Sequence, residues 1–388
     1  MDIALEFLRA IGRLFLNPLL YIAILVLIFF GYQRVKRERK YFKIRILGGW
    51  TELKLSIGAI VISLVLSLVL ILIGAVLPVQ FLIVLAIVSA VCLIAQLFFA
   101  LSPVVLFTIT LLVLWLIKYD DAAFELWSMK VDGLSLNAPV IATITIVAGV
   151  LLLAESQFIR NWATYLASPI LERTKRGGKA VAYISKSTWI LPIFVLIPGD
   201  VIPSYLPYFP IFGFGETQFS LVVFPFIIGF KQLSRKQLPV YFYPQYSKSV
   251  LIIGQIVVMG GLAGYFEPVV AVILLITGAV LRILVTAVAN RDQKKDTYAV
   301  VPMPNGTMIA AVLPDSPAQK MGLKAGEVIK RVNGQEVFNE RELYEALQIN
   351  AALCKLEVLD HQNELRLTQH VVHSDDHHRI GVLLAQQK

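Results

Sequence analysis

The sequence predicts a polytopic α-helical membrane protein that closes on a small soluble α+β domain. Three observations carry that reading. Apolar residues make up 57% of the 388 positions, against roughly 45–50% in soluble domains, and the mean hydropathy is +0.73. They are gathered into long blocks rather than spread evenly. From Asp292 onward the pattern changes to short alternating segments punctuated by Gly, Pro and Asn, as in a small mixed domain. The expected division is a transmembrane domain of eight or nine spans over 1–290 and a soluble domain over 297–388.

Runs approaching the ~20 apolar residues that cross a ~30 Å hydrocarbon core fall at 15–32, 54–77, 79–99, 101–118, 138–155, 188–206, 211–230, 249–265 and 268–288. The first run can instead lie in the interface, and Pro192, Pro198 and Pro203 interrupt the sixth. Ahead of the first run, Ile3, Leu5, Phe7, Leu8, Ile11 and Phe15 surround Arg9 and Arg13. That pattern suits an amphipathic helix on the bilayer surface, or simply the beginning of the first span. No small-residue cleavage site follows a short apolar core, so the first run is expected to be retained as an anchor. Cys92 sits in an apolar run and Cys354 in an expected strand, so each is expected as a free buried thiol of a reducing cytoplasm.

Charge orients the spans. Residues 297–388 hold 9 Lys+Arg and 11 Asp+Glu, which leaves 26 and 15 of the totals of 35 and 26 for residues 1–296. The basic excess therefore belongs to the membrane part, where Lys and Arg mark cytoplasmic loops. Arg34, Lys36, Arg37, Arg39, Lys40, Lys43, Arg45 and Lys54 follow the first run. The 156–187 loop adds Arg160, Arg173, Lys175, Arg176, Lys179 and Lys186, and the 231–249 loop adds Lys231, Arg235, Lys236 and Lys248. The 119–137 loop is acidic, with Asp120, Asp121, Glu125 and Asp132. With Arg291, Lys294 and Lys295 after the last run, the C-terminal domain is expected in the cytoplasm. The run from Arg34 to Lys40 reads as an orientation signal and a contact for anionic lipid. Nucleic acid is not an expected partner, because no soluble basic patch with interleaved aromatics exists to bind it.

The soluble segment can be parsed turn by turn. Asn305-Gly306 leads into a strand over 307–313. Ser316-Pro317 supplies an N-cap hydroxyl and a first-turn proline to a short helix stopped at Gly322. Lys324-Ala325-Gly326-Glu327 turns into the strand Val328–Val332, and Asn333-Gly334 reverses it. Asn339 and Glu342 form a capping box for a helix over 340–349. Alternating strands follow around Cys354, Leu356 and Val358, and then Leu365 and Leu367, with Asn363 at the turn.

The stretch from Ala311-Val312-Leu313-Pro314-Asp315-Ser316-Pro317-Ala318 through Gly322-Leu323-Lys324-Ala325-Gly326-Glu327 to Val332-Asn333-Gly334 resembles the core signature of bacterial PDZ domains. Glu327 stands where that family usually has Asp, a change expected to matter little at an exposed turn. The resemblance makes the fold class a polytopic α-helical membrane protein with a C-terminal α+β PDZ domain, and it implies capture of an extended peptide at a sheet edge beside a helix. The segment holding Ile380, Gly381, Val382 and Leu383 looks like the glycine-containing strand of permuted bacterial PDZ domains. It is the favoured edge, with Tyr344 and Leu347 lining the groove and Gly381 admitting the incoming backbone. The alternative edge is Tyr298-Ala299-Val300.

Several apolar runs, one basic loop after the first of them and a single terminal PDZ domain together resemble the MinJ-type topological determinants of cell division in Gram-positive rods. That resemblance implies a scaffold at the cell membrane, enriched at the division site and poles. It would bridge a DivIVA-like coiled-coil protein and a MinD-like ATPase, with other division membrane proteins and the lipid bilayer as further partners.

No catalytic constellation accompanies this architecture. HExxH and GxSxG are absent, and all five His (His361, His370, His373, His377 and His378) fall near the C-terminus, away from any span. No enzymatic activity, cofactor or metal is expected; the last four His, with Asp375 and Asp376, read as a solvated linker. Asp200 and Glu216 at the edges of apolar runs support the alternative, a membrane permease with an accessory PDZ domain. A PDZ-regulated partner of a membrane protease is a third reading. Arg282, late in the last run, is expected to snorkel to the cytoplasmic face.

Overall fold

The computed structural model describes residues 2–119, 124–126, 129–131, 137–175, 177–203, 218–293, 297–349, 353–371 and 380–385. Asp120, Asp121, Asp132, Arg176, Glu216, Lys294, Lys295, His373, Asp375, Asp376, His377, His378 and Arg379 lie outside the described residues.

The membrane part begins with an amphipathic helix α1 (Asp2–Leu16) and an elbow at Asn17, whose side chain caps α2 (Pro18–Phe42) by accepting from the Leu19 amide. Next come α3 (Thr51–Ile73), α4 (Val79–Ile94), α5 (Pro103–Tyr119) and a small hairpin, β1 (Phe124–Leu126) with β2 (Met129–Val131). The chain continues into α6 (Ala138–Phe158), extended by a π turn over Ile159–Ala163, then β3 (Ser168–Arg173), β4 (Lys179–Pro203), β5 (Gln218–Ser234), α7 (Pro239–Ala263) and α8 (Pro268–Asp292). Five helices, α2, α3, α6 with its π turn, α7 and α8, are long and apolar enough to cross a membrane; α4 and α5 are shorter apolar helices. Of the five, α6 is the most enclosed by protein, and Gly149 lets α7 approach until a Cβ there would stand 2.7 Å from Val258.

The fold departs from the expected helices in the described parts of the sixth and seventh apolar runs, 188–203 and 218–230, which form the two arms of one long antiparallel hairpin, β4 and β5. The 156–187 and 231–249 loops are correspondingly shorter: β3 and the start of β4 occupy the first, and the end of β5 and the start of α7 occupy the second. A strand edge packed against spanning helices has no water to satisfy its amides, and each edge here is met by an earlier segment. On β4, the Ile190 amide donates to Ser56 Oγ (3.0 Å) and the Phe194 amide to Ser67 Oγ (2.9 Å), both on α3. Pro192, between them on the same edge, has no amide to satisfy. The Leu196 carbonyl accepts from Leu77 (2.9 Å). On β5, Glu6 of α1 accepts from the Leu221 amide, Arg13 donates to the Leu221 carbonyl (2.6 Å), and the Gly229 amide reaches the Leu101 carbonyl (3.0 Å). Pro225 lies opposite Pro192 in the register and is likewise turned outward. The prolines that would break a helix thus fit the ribbon.

Two ion clusters lie inside this layer. Arg34 is 5% exposed and bonds Glu52 (2.7 Å), Glu38 (3.1 Å) and the Gly48 carbonyl (2.7 Å), so it braces α2 against α3 and is not a lipid contact. Arg282 is also buried rather than snorkelling: it pairs with Glu155 of α6 and bonds Tyr246 (2.8 Å) and Thr286 (2.6 Å), while Ser102 donates to Glu155 (2.6 Å). Paired charges of this kind are the form in which ions persist at membrane depth.

The C-terminal domain comprises β6 (Thr307–Val312), α9 (Pro317–Lys320), β7 (Val328–Val332), β8 (Gln335–Glu336), α10 (Glu340–Gln348), β9 (Leu353–Leu359), β10 (Leu365–Val371) and β11 (Val382–Leu384). Its sheet runs β10-β9-β7-β6-β11, with β8 paired to β7. The turn chemistry read from the sequence is present: Asn333, Gly334, Gly322 and Asn363 all hold positive φ. Ser316 caps α9, and Asn339 with Glu342 caps α10. Cys92 and Cys354 are free and buried, and burial pushes the Cys354 thiol up to about 11.

Candidate peptide-binding site

β11 is the end strand of its sheet. Its residues pair with β6 as Val382↔Val312, Leu383↔Ala311 and Leu384↔Ile309, with a bulge before Leu384. The Gly381 carbonyl accepts from Leu313 (2.8 Å) and the Ala385 amide donates to Met308 (3.0 Å), so residues 381, 383 and 385 turn their main chain toward β6. By the two-residue alternation of an antiparallel strand, the amides and carbonyls of Val382 and Leu384 point the other way. Among the described residues no strand pairs with that side.

The flanking helix is α10. It buries Leu343 and Ala346 in the same core cluster that takes Ile380, Val382 and Leu384, and Leu347 packs half-buried against that cluster. Tyr344 is half-buried. Where the end of β11 meets the start of α10, Met303, Thr307, Phe338, Asn339, Arg341 and Leu384 help line a cleft of about 510 Å³. The cleft takes in Leu384 and the start of α10 but none of Ile380, Gly381, Val382, Leu383, Tyr344 and Leu347, and sequence reading missed Phe338 and Met303 there, both exposed apolar residues. The available signal was an apolar residue, Phe338, directly before the Asn339 cap; Met303 carried none.

Gly381 has a different reason from the one expected. Its φ is +87°, and a Cβ there would lie 2.2 Å from the Ser316 Cβ, so glycine is required by the domain's own packing. Glu327 also differs from expectation: it is 3% exposed, accepts from the Lys324 amide (2.9 Å) and pairs with Arg366 (3.1 Å), closing the turn and tying it to β10. The alternative edge at Tyr298-Ala299-Val300 is occupied. The Val300 carbonyl accepts from Val181 (3.0 Å), the Ala299 amide donates to Arg235, and Tyr298 bonds Glu172 (3.1 Å), itself paired with Arg235 (2.6 Å).

The site is fixed to the membrane part. Leu383 on β11 and Ala385 just after it, with Met308, Ala310 and Ala311 on β6, share one apolar cluster with Val181 and Tyr183 of β4 and Leu238. The Tyr183 hydroxyl donates to the Ala310 carbonyl (2.7 Å), and His361 bridges the Ala325 carbonyl and Tyr241. Of the acids that suggested a permease, Asp200 falls in β4 and Glu216 lies outside the described residues. Among the described residues no three His, Cys, Asp or Glu side chains gather as a metal site.

Five helices long and apolar enough to cross a membrane thus stand beside one small α+β domain with an unpaired sheet edge among the described residues. Residues 308–359 match the family model for the PDZ domain. The chain is a homologue of the cell division topological determinant MinJ of Bacillus subtilis (strain 168), 28% identical over 383 residues, which cover 98% of this chain and 96% of that protein. A probable cell division topological determinant MinJ of Lacticaseibacillus paracasei is 22% identical over 63% of this chain and 65% of its own length. A probable periplasmic serine endoprotease DegP-like protein of a Marinomonas species is 54% identical over 39 residues, 10% of this chain and 8% of its own.

Proposed function

We propose that this protein is a non-enzymatic membrane scaffold for division-site placement, in which the spans hold the PDZ domain at the cytoplasmic surface and the β11 edge captures an extended segment of a partner. The observation that carries the reading is the outward main chain of Val382 and Leu384 beside α10, in a domain packed onto the hairpin root. The end-to-end likeness to a cell division topological determinant supports the cellular role. The loop charges support a cytoplasmic domain and an external 119–137 loop. Ile380, Gly381, Val382 and Leu383 would supply the edge and its support, with Tyr344 and Leu347 on the helix side. The partners are a DivIVA-like coiled-coil protein and a MinD-like ATPase, bridged by this chain along with other division membrane proteins.

The test is co-purification from membranes of cells carrying the full chain or a chain lacking 297–388, together with measurement of septum position in a clean deletion. Displaced or delayed septa and longer cells are expected, with at least one division partner lost on truncation. Central septa at normal cell length, or an unchanged partner set, would overturn the reading.

A further inference from the structure

At the root of the hairpin, Lys186 of β4 and Lys231 of β5 stand directly opposite each other in the register. Like charges so placed repel, and among the described residues no acid pairs with either lysine. The Lys186 Nζ lies 3.7 Å from the Phe30 ring centroid and 5.2 Å from that of Phe98, and the Lys231 Nζ lies 5.9 Å from Phe98. The polar partners of Lys186 are two amide oxygens, Gln33 Oε1 (3.1 Å) and Gln96 Oε1 (3.0 Å). One helical turn beyond Gln33 on α2 is Arg37, whose buried Nε has no hydrogen-bond partner. Among the described residues none of these three cations is in a salt bridge. Burial, with the charges of Lys231 and Arg37, pushes the Lys186 ammonium down to about 8.

The surroundings indicate what kind of anion fits. Ile94, Leu97 and Phe99, on either side of Gln96 and Phe98, are 65%, 38% and 52% exposed, so the cations sit at the margin of a lipid-facing surface. The basic run that follows on α2 places this margin at the cytoplasmic side.

We propose that Lys186, Lys231 and Arg37 form a binding site for the phosphate of an anionic phospholipid in the cytoplasmic leaflet, with its acyl chains against Leu97 and Phe99. A phosphodiester supplies the negative charge that the two lysines lack, accepts from the unpartnered Arg37 Nε, which otherwise feels Glu38 and Glu52 only through space, and relieves the cross-strand repulsion. The site differs from the peptide edge, and its role does not depend on the function proposed above.

The full chain, purified in uncharged detergent, is titrated with phosphatidylglycerol, phosphatidylcholine or inorganic phosphate while thermal unfolding is followed by tryptophan fluorescence. Phosphatidylglycerol is expected to raise Tm saturably, and the other two are not. Lys231→Gln is expected to leave the lipid-free Tm unchanged or higher, because a repulsion is removed, and to raise the half-maximal phosphatidylglycerol concentration about fivefold. Lys186→Gln should act in the same direction, and Lys248→Gln, on α7, should behave as the parent. Equal shifts with phosphatidylcholine would overturn the proposal, as would a full phosphatidylglycerol response in both Lys231→Gln and Lys186→Gln. An equal response to inorganic phosphate would overturn the lipid assignment in favour of a soluble anion.

Discussion

Removing one member of the Glu155–Arg282 pair should cost far more than removing both. Arg282 is 4% exposed and Glu155 fully buried, and the guanidinium gives Nε and one terminal nitrogen to Glu155 and the other to Tyr246 and Thr286. Glu155→Gln keeps the shape and leaves the cation without a counter-ion, a change of about 3–5 kcal/mol for a buried pair. Glu155→Leu combined with Arg282→Met removes both charges. Tyr246 and Thr286 still bond each other at 2.9 Å, so the main residual loss is the acceptor of Ser102, about 1–3 kcal/mol. The assay is thermal unfolding of the detergent-purified chain, read through the buried Trp189, which packs on Phe158 and Trp162 near the end of α6. At roughly 2–4 °C per kcal/mol for a medium-sized protein, the single variant should unfold on the order of 10 °C early and the double variant much less. A double variant as unstable as the sum of Glu155→Leu and Arg282→Met would refute the pairing argument.

Other consequences follow from the same geometry. Gly381→Val should destabilise the C-terminal domain by at least ~2 kcal/mol, since it joins a left-handed φ to a collision with Ser316; faster limited proteolysis after residue 297 in the full chain would register it, and unchanged proteolysis would count against the packing described. Glu327→Gln should cost about 1–3 kcal/mol by weakening the bonds to Lys324 and Arg366, whereas Glu327→Asp should cost less if the shorter carboxylate still reaches the turn; hydrogen exchange at the Lys324 amide distinguishes them. The Lys186 ammonium is lowered in the folded chain, so between about 8 and its ordinary value the unfolded chain holds more protons and lipid-free stability should rise with pH. Phosphatidylglycerol stabilisation should instead be full below about 8 and weaken above it, which Tm measured with and without lipid at pH 7 and 9.5 would reveal.

The C-terminal domain was legible because its turns depend on single residues with single reasons. Asn333-Gly334 and Gly322 occupy a left-handed backbone few other residues accept, and the Asn339 side chain accepts from the Glu342 amide, so residue type alone placed them. The hairpin was not legible by length, because a run such as 188–206 is apolar enough for a span and reads the same as a strand buried on all sides. The discriminating signal was present in Pro192, Pro198, Pro203 and Pro225 together with many β-branched and aromatic residues. It becomes decisive only once α3 is seen to offer Ser56 and Ser67 to the strand edge. Partners are harder still to read: the basic run after the first apolar segment looked uniform, yet Arg34 faces inward to two carboxylates while Arg37 has a nitrogen without a partner. The strand around Val382 and the helix after Asn339 could be placed from the sequence, whereas the packing reason for Gly381 could not, because its collision partner, Ser316, lies 65 positions earlier in the chain.

The clothed edges of the hairpin also carry a message about how the chain is made. A helix satisfies its own amides and can leave a translocation channel alone, but β4 and β5 cannot enter lipid before something covers their edges. The groups that do so, Glu6, Arg13, Ser56, Ser67, Leu77 and Leu101, all precede the hairpin in the sequence. A ribosome therefore delivers the receiving surface before the ribbon that needs it, and the helices α7 and α8, which follow, close over a ribbon already seated. Vectorial synthesis makes a β-element in a helical membrane layer an ordered assembly step rather than an insertion problem.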